Sequence, residues 1–311
     1  MRFFFATDIH GSDLCFKKFL RAADFYGVDA LLLGGDYSSK SLVVYISSKN
    51  GWQAKVGDES IQLSTRSELE NFQKSFSNTG HLLIELDQHQ FELFQTTEQS
   101  RERFFELAQR ERLSRWTGMA AEQLSKRSIP VYHIPGNDEP LYCDEFFNEA
   151  PFIPIHRRHI RVQDDLTLLG VGGSNPTPWH TPREFQENEI EAIIESSISD
   201  SLSGIPMIFF GHVPPFKSGL DNAPALNPDL SYQLVLGSHK KQPVGSVAIR
   251  HAIEQLQPLV GLFGHIHESQ GEIRIGKTIC VNPGSAYYNG RLQGCVITIR
   301  HKEASVQFTE G

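Results

Sequence analysis

RFFFATDIHG, residues 2–11, is an apolar run that stops at an acid, an imidazole and a glycine. A run this short and this apolar, closed by polar residues, reads as a buried strand that delivers Asp8 and His10 at its carboxyl end. Ser12 can cap a helix, in which Phe16, Phe19, Leu20 and Ala23 recur at i, i+3, i+4 and i+7. Gly27 is placed to end that helix, and residues 30–33 form the next strand. This strand–helix–strand rhythm predicts an α/β fold.

The same ending recurs along the chain. ALLLGGD (30–36) delivers Asp36, VYHIPGND (131–138) delivers Asn137, MIFFGH (207–212) delivers His212, and LVGLFGHIH (259–267) delivers His265 and His267. In open α/β sheets, ligands bind at the carboxyl ends of the strands, so these side chains are expected to converge. One such ending is commonplace; five together point to a metal site. Seven donors exceed the three or four that one catalytic metal takes, which argues for a pair of ions sharing a carboxylate. Carboxylate, imidazole and amide oxygen together suit Mn, Fe, Zn or Co. Two divalent cations against Asp8, Asp36 and one hydroxide leave a positive site that attracts phosphate.

Bulk properties bound the reading. At 311 residues the chain can hold one large domain, and its net charge of −8 argues against a general nucleic-acid binder. Cys15, Cys143, Cys280 and Cys295 form no close pair and no metal-like spacing, as expected of reduced thiols in a cytoplasmic protein. The N-terminal apolar run reaches Asp8 too early for a signal peptide, and no stretch approaches the roughly 18 apolar residues of a membrane span.

Residues 38–128 have a different texture, too long for a loop in a compact domain, and read as an inserted α+β subdomain or cap. Within it, residues 42–47, 52–56 and 59–63 predict strands, and a helix follows Ser64 or Thr65. Residues 81–94 read as another strand pair, and 97–127 as a charged helix. Trp116, Phe104, Phe105 and Leu107 are expected to pack the insert.

Asp8-x-His10, Gly35-Asp36, Gly136-Asn137, Gly211-His212 and Gly264-His265-x-His267 resemble, in order, the motifs of the calcineurin-like metallophosphoesterases. VNPGSA (281–286), the GGSNPTPWHTP loop and the long charged helix resemble the predicted phosphoesterases related to the Icc protein. The resemblance implies a four-layer α/β/β/α sandwich forming a single catalytic domain over 1–311. It implies two divalent ions, one held by Asp8, His10, Asp36 and His267, the other by Asp36, Asn137, His212 and His265. A metal-bridging hydroxide would attack phosphorus in line. A small phosphate ester is the expected partner; neither membrane nor nucleic acid is expected, and a homodimer is the one assembly envisaged. The alternative is a scaffolding or regulatory protein on the same fold, with the insert as its partner surface.

The departures are informative. Gly35-Asp36-Tyr37-Ser38-Ser39 lacks the continuation of the Ser/Thr protein phosphatases, and Ser39 stands where purple acid phosphatases have a metal-binding Tyr. Tyr37 is then a packing residue. The third motif usually carries His after its Asn; here it is Asp138, with Glu139 as a supporting acid. A carboxylate repels a dianionic monoester more than a monoanionic diester, so phosphodiesters or activated aryl phosphates are the expected substrates. His180 is the first candidate for the missing proton donor, with His156 and His239 behind it. Gly173, Ser174 and Asn175, following Gly172, could offer N–H groups to phosphate. Asn282 and Ser285 are expected to shape a turn beside the site, and Arg291 is an arginine within reach of a phosphate or of solvent.

Overall fold

Phe3 and Phe5 point to one side of the strand Arg2–Ala6, and Phe4 and Ala6 to the other; all four are buried. A strand buried on both faces needs an apolar residue at every position, which is why it reads as a run rather than an alternation. The computed structural model describes residues 1–163, 166–198 and 204–311. The first sheet runs in the order Glu303–Glu310, Gln293–Arg300, Arg2–Ala6, Ala30–Leu33, Val131–His133, Phe152–Pro154. The second runs Gly271–Ile275, Thr278–Asn282, Val260–Leu262, Met207–Gly211, Leu166–Val171, Arg158–Gln163.

Phe3, Phe5, Ala30 and Leu32 of the first sheet meet Leu168, Ile208, Phe210 and Leu262 of the second, forming the central core between the sheets. On the outer face of the first sheet, Phe4, Leu31 and Val131 pack under Phe16, Phe19 and Leu20 of the helix Asp13–Phe25. On the outer face of the second, Leu169 and Phe209 pack under the helices Glu187–Ser197 and Val247–Leu256. Helix, sheet, sheet, helix is the four-layer sandwich. The central strands of each sheet are parallel, so their carboxyl ends lie along one rim.

Within 38–128, the strands Ser41–Ser48, Gly51–Val56, Glu59–Leu63 and His81–Leu86 make a separate four-stranded sheet. With the helix Arg66–Asn78 they close a small core of Val43, Tyr45, Ala54, Leu63, Leu69 and Phe72. Residues 81–94 are not a strand pair. His81–Leu86 is a strand, but Asp87 and Gln90 form a capping box that starts the helix Gln88–Thr96. Trp116 does not pack the insert either. It lies on the helix Glu98–Leu124 and stacks on Phe16 of the first helix, 4.1 Å between ring centroids and 2° between planes. Leu107 is half exposed, on the outward face of the same helix. Arg112, buried on that helix, donates to the carbonyls of Gly11 and His81 and so ties the inserted sheet to the first motif loop. All four cysteines are buried and unpaired, and among the described residues no helix is long and apolar enough to cross a membrane.

His133 sits among Tyr37, Phe147 and Phe152 and donates from Nε2 to the Phe147 carbonyl at 2.8 Å. Burial lowers its pKa from 6.5 to about 4. Below pH 6.5 the unfolded chain therefore gains a proton that the folded chain refuses until about pH 4. This group's contribution is level above pH 6.5 and falls with pH by about 3 kcal/mol across that window. Urea unfolding at pH 7 and pH 4.5 checks this: His133→Gln should lose less stability between the two than the parent chain. Equal losses would show that another group sets the acid limb.

Candidate metal centre

The carboxyl ends of the parallel strands bring the seven donors together. Asp8, His10 and His267 form one group, Asp36, His212 and His265 a second, and His10, Asp36 and Asp138 a third, the donor atoms of each lying within 4.8 Å of one another. His10 Nε2 faces His267 Nε2 at 3.0 Å, with Asp8 Oδ1 4.0 Å from the first ring and 3.4 Å from the second. Asp36 looks both ways: Oδ2 is 3.8 Å from His10 Nε2 and Oδ1 is 3.5 Å from His212 Nε2.

Each donor is aimed by neighbours that take up its other atoms. His212 Nδ1 donates to the Gly34 carbonyl at 2.8 Å, which points Nε2 at Asn137 Oδ1, 3.1 Å away. Asn137 Nδ2 donates to Asp138 Oδ1 and Thr181 Oγ1, both at 3.0 Å, which turns its carbonyl oxygen toward the cluster. Asp8 accepts from Thr7 Oγ1 at 2.7 Å and from the His265 N–H at 2.9 Å. Asn282 donates to the carbonyls of Gly264 and Ile266, and Ser285 Oγ donates to the Asp8 carbonyl at 2.6 Å, so that turn holds two motif loops together. Glu139 accepts from the N–H groups of Asp36, Ser38 and Gly136. Burial and the nearby Asp36 push its pKa up to about 7, against those donors; their convergence on both oxygens calls for the carboxylate.

The backbone is strained where the ligands are. Asp8, His10, Asp36 and His265 have φ of 54°, 37°, 49° and 65°, a region that non-glycine residues rarely enter and that costs of order 1–3 kcal/mol each. The same turns leave no room at Gly136: a Cβ there would fall 2.0 Å from Asp36 Oδ1.

Burial opposes charge on Asp8 and Asp36, yet the histidines around them hold both carboxyls below the ordinary range. Burial likewise opposes charge on His212, and Asp36 and Asp8 outweigh it, raising its pKa to about 10. Two buried carboxylates ringed by imidazole donors are what divalent cations neutralise, and the donor set fits Mn, Fe, Zn or Co. The proton and a cation compete for the same lone pair on His212.

Asp138 is not the bare carboxylate that the sequence suggests. Burial and Asp36 push its pKa up to about 6, and Lys40 Nζ lies 2.6 Å from its Oδ2. Lys40, held above the usual lysine range by Asp36 and Asp138 against burial, is a fixed cation at the mouth of the site. Neither Lys40 nor Thr181 stands out in the sequence; Lys40 is four residues past Asp36 in a polar coil, with no periodicity to say where it points.

Other candidates fall elsewhere. The N–H groups of Gly172, Gly173 and Ser174 are spent inside the fold, on His156 Nδ1, the Pro135 carbonyl and the Arg183 carbonyl. Gly173 and Ser174 are therefore a tight connection and not an anion nest; Asn175 alone of the three lines the cavity in front of the metal centre. His180 is exposed and outside the donor cluster, although its neighbours Trp179 and Thr181 line the cavity. His156 is committed to Gly172, His239 stacks on Tyr232, and Arg291 pairs with Glu310 at 2.7 Å. Tyr37 is buried against Phe147, a packing residue as its place after Asp36 implies.

No protein-family model matches the chain. The uncharacterized protein MJ1162 of Methanocaldococcus jannaschii is 30% identical over 175 residues, covering 54% of this chain and 70% of that protein. The crystal structure of TT1561 from Thermus thermophilus superposes with a TM-score of 0.53 at 15% identity, covering 98% of this chain and 97% of that one. A second solved structure gives a TM-score of 0.57 at 14% identity, with 98% of each chain covered. The shared fold extends over nearly the whole chain. The chain belongs to one family with the Methanocaldococcus jannaschii protein.

Proposed function

We propose that the protein is a metal-dependent phosphoesterase that prefers phosphodiesters. The observation that carries this reading is the convergence of seven donors at the floor of one cavity, with Asp36 facing both halves of the cluster. Asp8, His10 and His267 would hold one ion, Asn137, His212 and His265 the other, and Asp36 both. When bound, such ions polarise the phosphoryl oxygens and make water a competent nucleophile at neutral pH.

The chain's own residues do the rest. Thr181 and Asp138 hold the Asn137 amide, Glu139 holds the backbone of the second and third motifs, and Ser285 holds Asp8. Lys40 places a positive charge beside Asp138 at the edge where a phosphate oxygen arrives. The Lys40–Asp138 pair is neutral as a unit, so it tolerates a monoanionic diester. A monoester that brings a second negative charge must compete with Asp138 for Lys40.

Metal analysis of the Mn²⁺-reconstituted chain, with hydrolysis of bis(p-nitrophenyl) phosphate as the activity, tests the reading. A chain that takes up no metal, or turnover indifferent to chelation, would sink it. Lys40→Met leaves Asp138 unpaired and should lower kcat/KM for p-nitrophenyl phosphate roughly tenfold more than for the diester. Asp138→His should shift the ratio the other way. An unchanged diester-to-monoester ratio in both variants would remove Asp138 and Lys40 from substrate selection.

A further inference from the structure

The cavity in front of the metal centre is about 1360 Å³, larger than the roughly 300–1,000 Å³ of most small-molecule sites. Its lining combines two chemistries. Asp36, Lys40, Asn137, Asp138, His265 and His267 bring the candidate metal donors and their neighbours to it. Trp179, Phe216, Leu226, Leu230, Tyr232 and Val247 add an apolar arm. Three of these are unusually open to solvent: Trp179 is 63% exposed, Tyr232 55% and Leu230 47%. Leu234, Val235 and Leu236 continue the same segment and are more than half exposed. Soluble proteins seldom leave such a concentration of large apolar side chains uncovered without a ligand for it.

Four polar side chains of this lining are already engaged. Asn175 Nδ2 donates to the Val244 carbonyl, Asn227 Nδ2 to Ser231 Oγ and Gln233 Nε2 to the Leu226 carbonyl. The Glu187 carboxylate accepts from Ser246 Oγ at 2.7 Å and the Ala248 N–H at 2.8 Å. Among the described lining residues, the cationic side chain is Lys40, beside Asp138. A second phosphate, or a nucleic-acid strand running on from the first, would find no lysine or arginine among these lining residues beyond Lys40.

We propose that this arm binds a bulky, uncharged apolar substituent of the phosphate ester, so that the substrates are amphiphilic phosphodiesters. The proposal rests on the phosphoesterase reading for the head group; the apolar arm and its ligand chemistry stand on the lining residues alone. The Tyr232 ring is braced against His239, 4.5 Å between centroids and 27° between planes, so it presents a fixed apolar surface. Each methylene moved from water to such a wall strengthens binding by up to about fourfold.

The test uses the full chain loaded with Mn²⁺ and a series of p-nitrophenyl alkyl phosphodiesters from ethyl to octyl. We expect kcat/KM to rise at least about tenfold along the series, a small part of the full transfer energy of six methylenes. In Trp179→Ser/Leu230→Ser/Tyr232→Ser the octyl-to-ethyl ratio should fall toward one. Calorimetric titration with methyl octylphosphonate and methyl ethylphosphonate reads binding without turnover; the octyl compound should bind more tightly to the parent chain, with a negative heat-capacity change. Turnover with a flat ratio and equal phosphonate affinities would overturn the apolar site and leave the phosphoesterase reading intact. Chain-length-dependent binding without turnover of any ester would do the reverse. A flat ratio accompanied by a dimer that the triple variant abolishes would assign the surface to a second copy of the chain, and the proposal would fail.

Discussion

Asp36→Asn is expected to cut phosphodiester hydrolysis by about 10³-fold or more and to lower the bound metal below two equivalents per chain. The side chain faces His10 at 3.8 Å through one oxygen and His212 at 3.5 Å through the other. The amide keeps the shape, removes the charge and replaces one oxygen with an N–H₂ group that cannot ligate. In the cation-free chain the amide eases the repulsion on Asp138 and Glu139 but removes the counter-charge of His212, so stability in chelator should fall as well. The measurements are elemental analysis and kinetics alongside thermal melting in chelator. Full metal content with more than a tenth of parental activity would show that Asp36 is not shared between the two groups.

Gly136→Ala is the second large effect. A Cβ at this position falls 2.0 Å from Asp36 Oδ1 and 2.5 Å from the Asp36 backbone nitrogen. Neither can retreat. The Asp36 N–H donates to Glu139 Oε2 at 3.0 Å, and the Gly136 N–H donates to the same oxygen at 2.6 Å. Overpacking against fixed backbone costs about 3 kcal/mol, and relief by shifting Asp36 would spoil the metal centre as well. Chemical denaturation and metal titration should therefore both respond. Gly118→Ala is the control. Gly118 lies in the helix Glu98–Leu124 with open space around its would-be Cβ, and alanine there should stabilise by about 0.5–1 kcal/mol. If Gly136→Ala melts with the parent and retains its metals, the close approach of the two loops is not a requirement of the fold.

The apolar runs, their polar terminators and the glycines between them decided the architecture locally, and a reader of the sequence recovers them. Phe3 to Ala6 are apolar at every position because both faces of that strand are covered, and the donor after each run lands on the rim because parallel strands end there. The seven donors were legible for that reason. What misled were an unread local cap and segments whose fate depends on partners elsewhere in the chain. HLLIELDQHQFELF carries enough apolar residues for two strands, and the Asp87–Gln90 capping box turns the second half into helix. Gly172–Ser174 has the glycines of an anion nest, but Pro135, His156 and Arg183 take its N–H groups. Trp116 sits in a charged, helix-favouring stretch and finds its partner in Phe16, a hundred residues away.

By itself, then, the sequence determined the α/β class, the buried strands and the candidate donors at their ends, because strand burial and strand ends are set by residues a few positions apart; the four layers were an expectation of the family resemblance. Only the tertiary structure decided that Lys40 pairs with Asp138, that Thr181 steers Asn137, and that apolar side chains from residues 179 and 216–247 share one cavity with the candidate metal donors. Those residues lie in loops, where no period constrains side-chain direction, and their contacts are made between segments that meet only when both sheets are stacked.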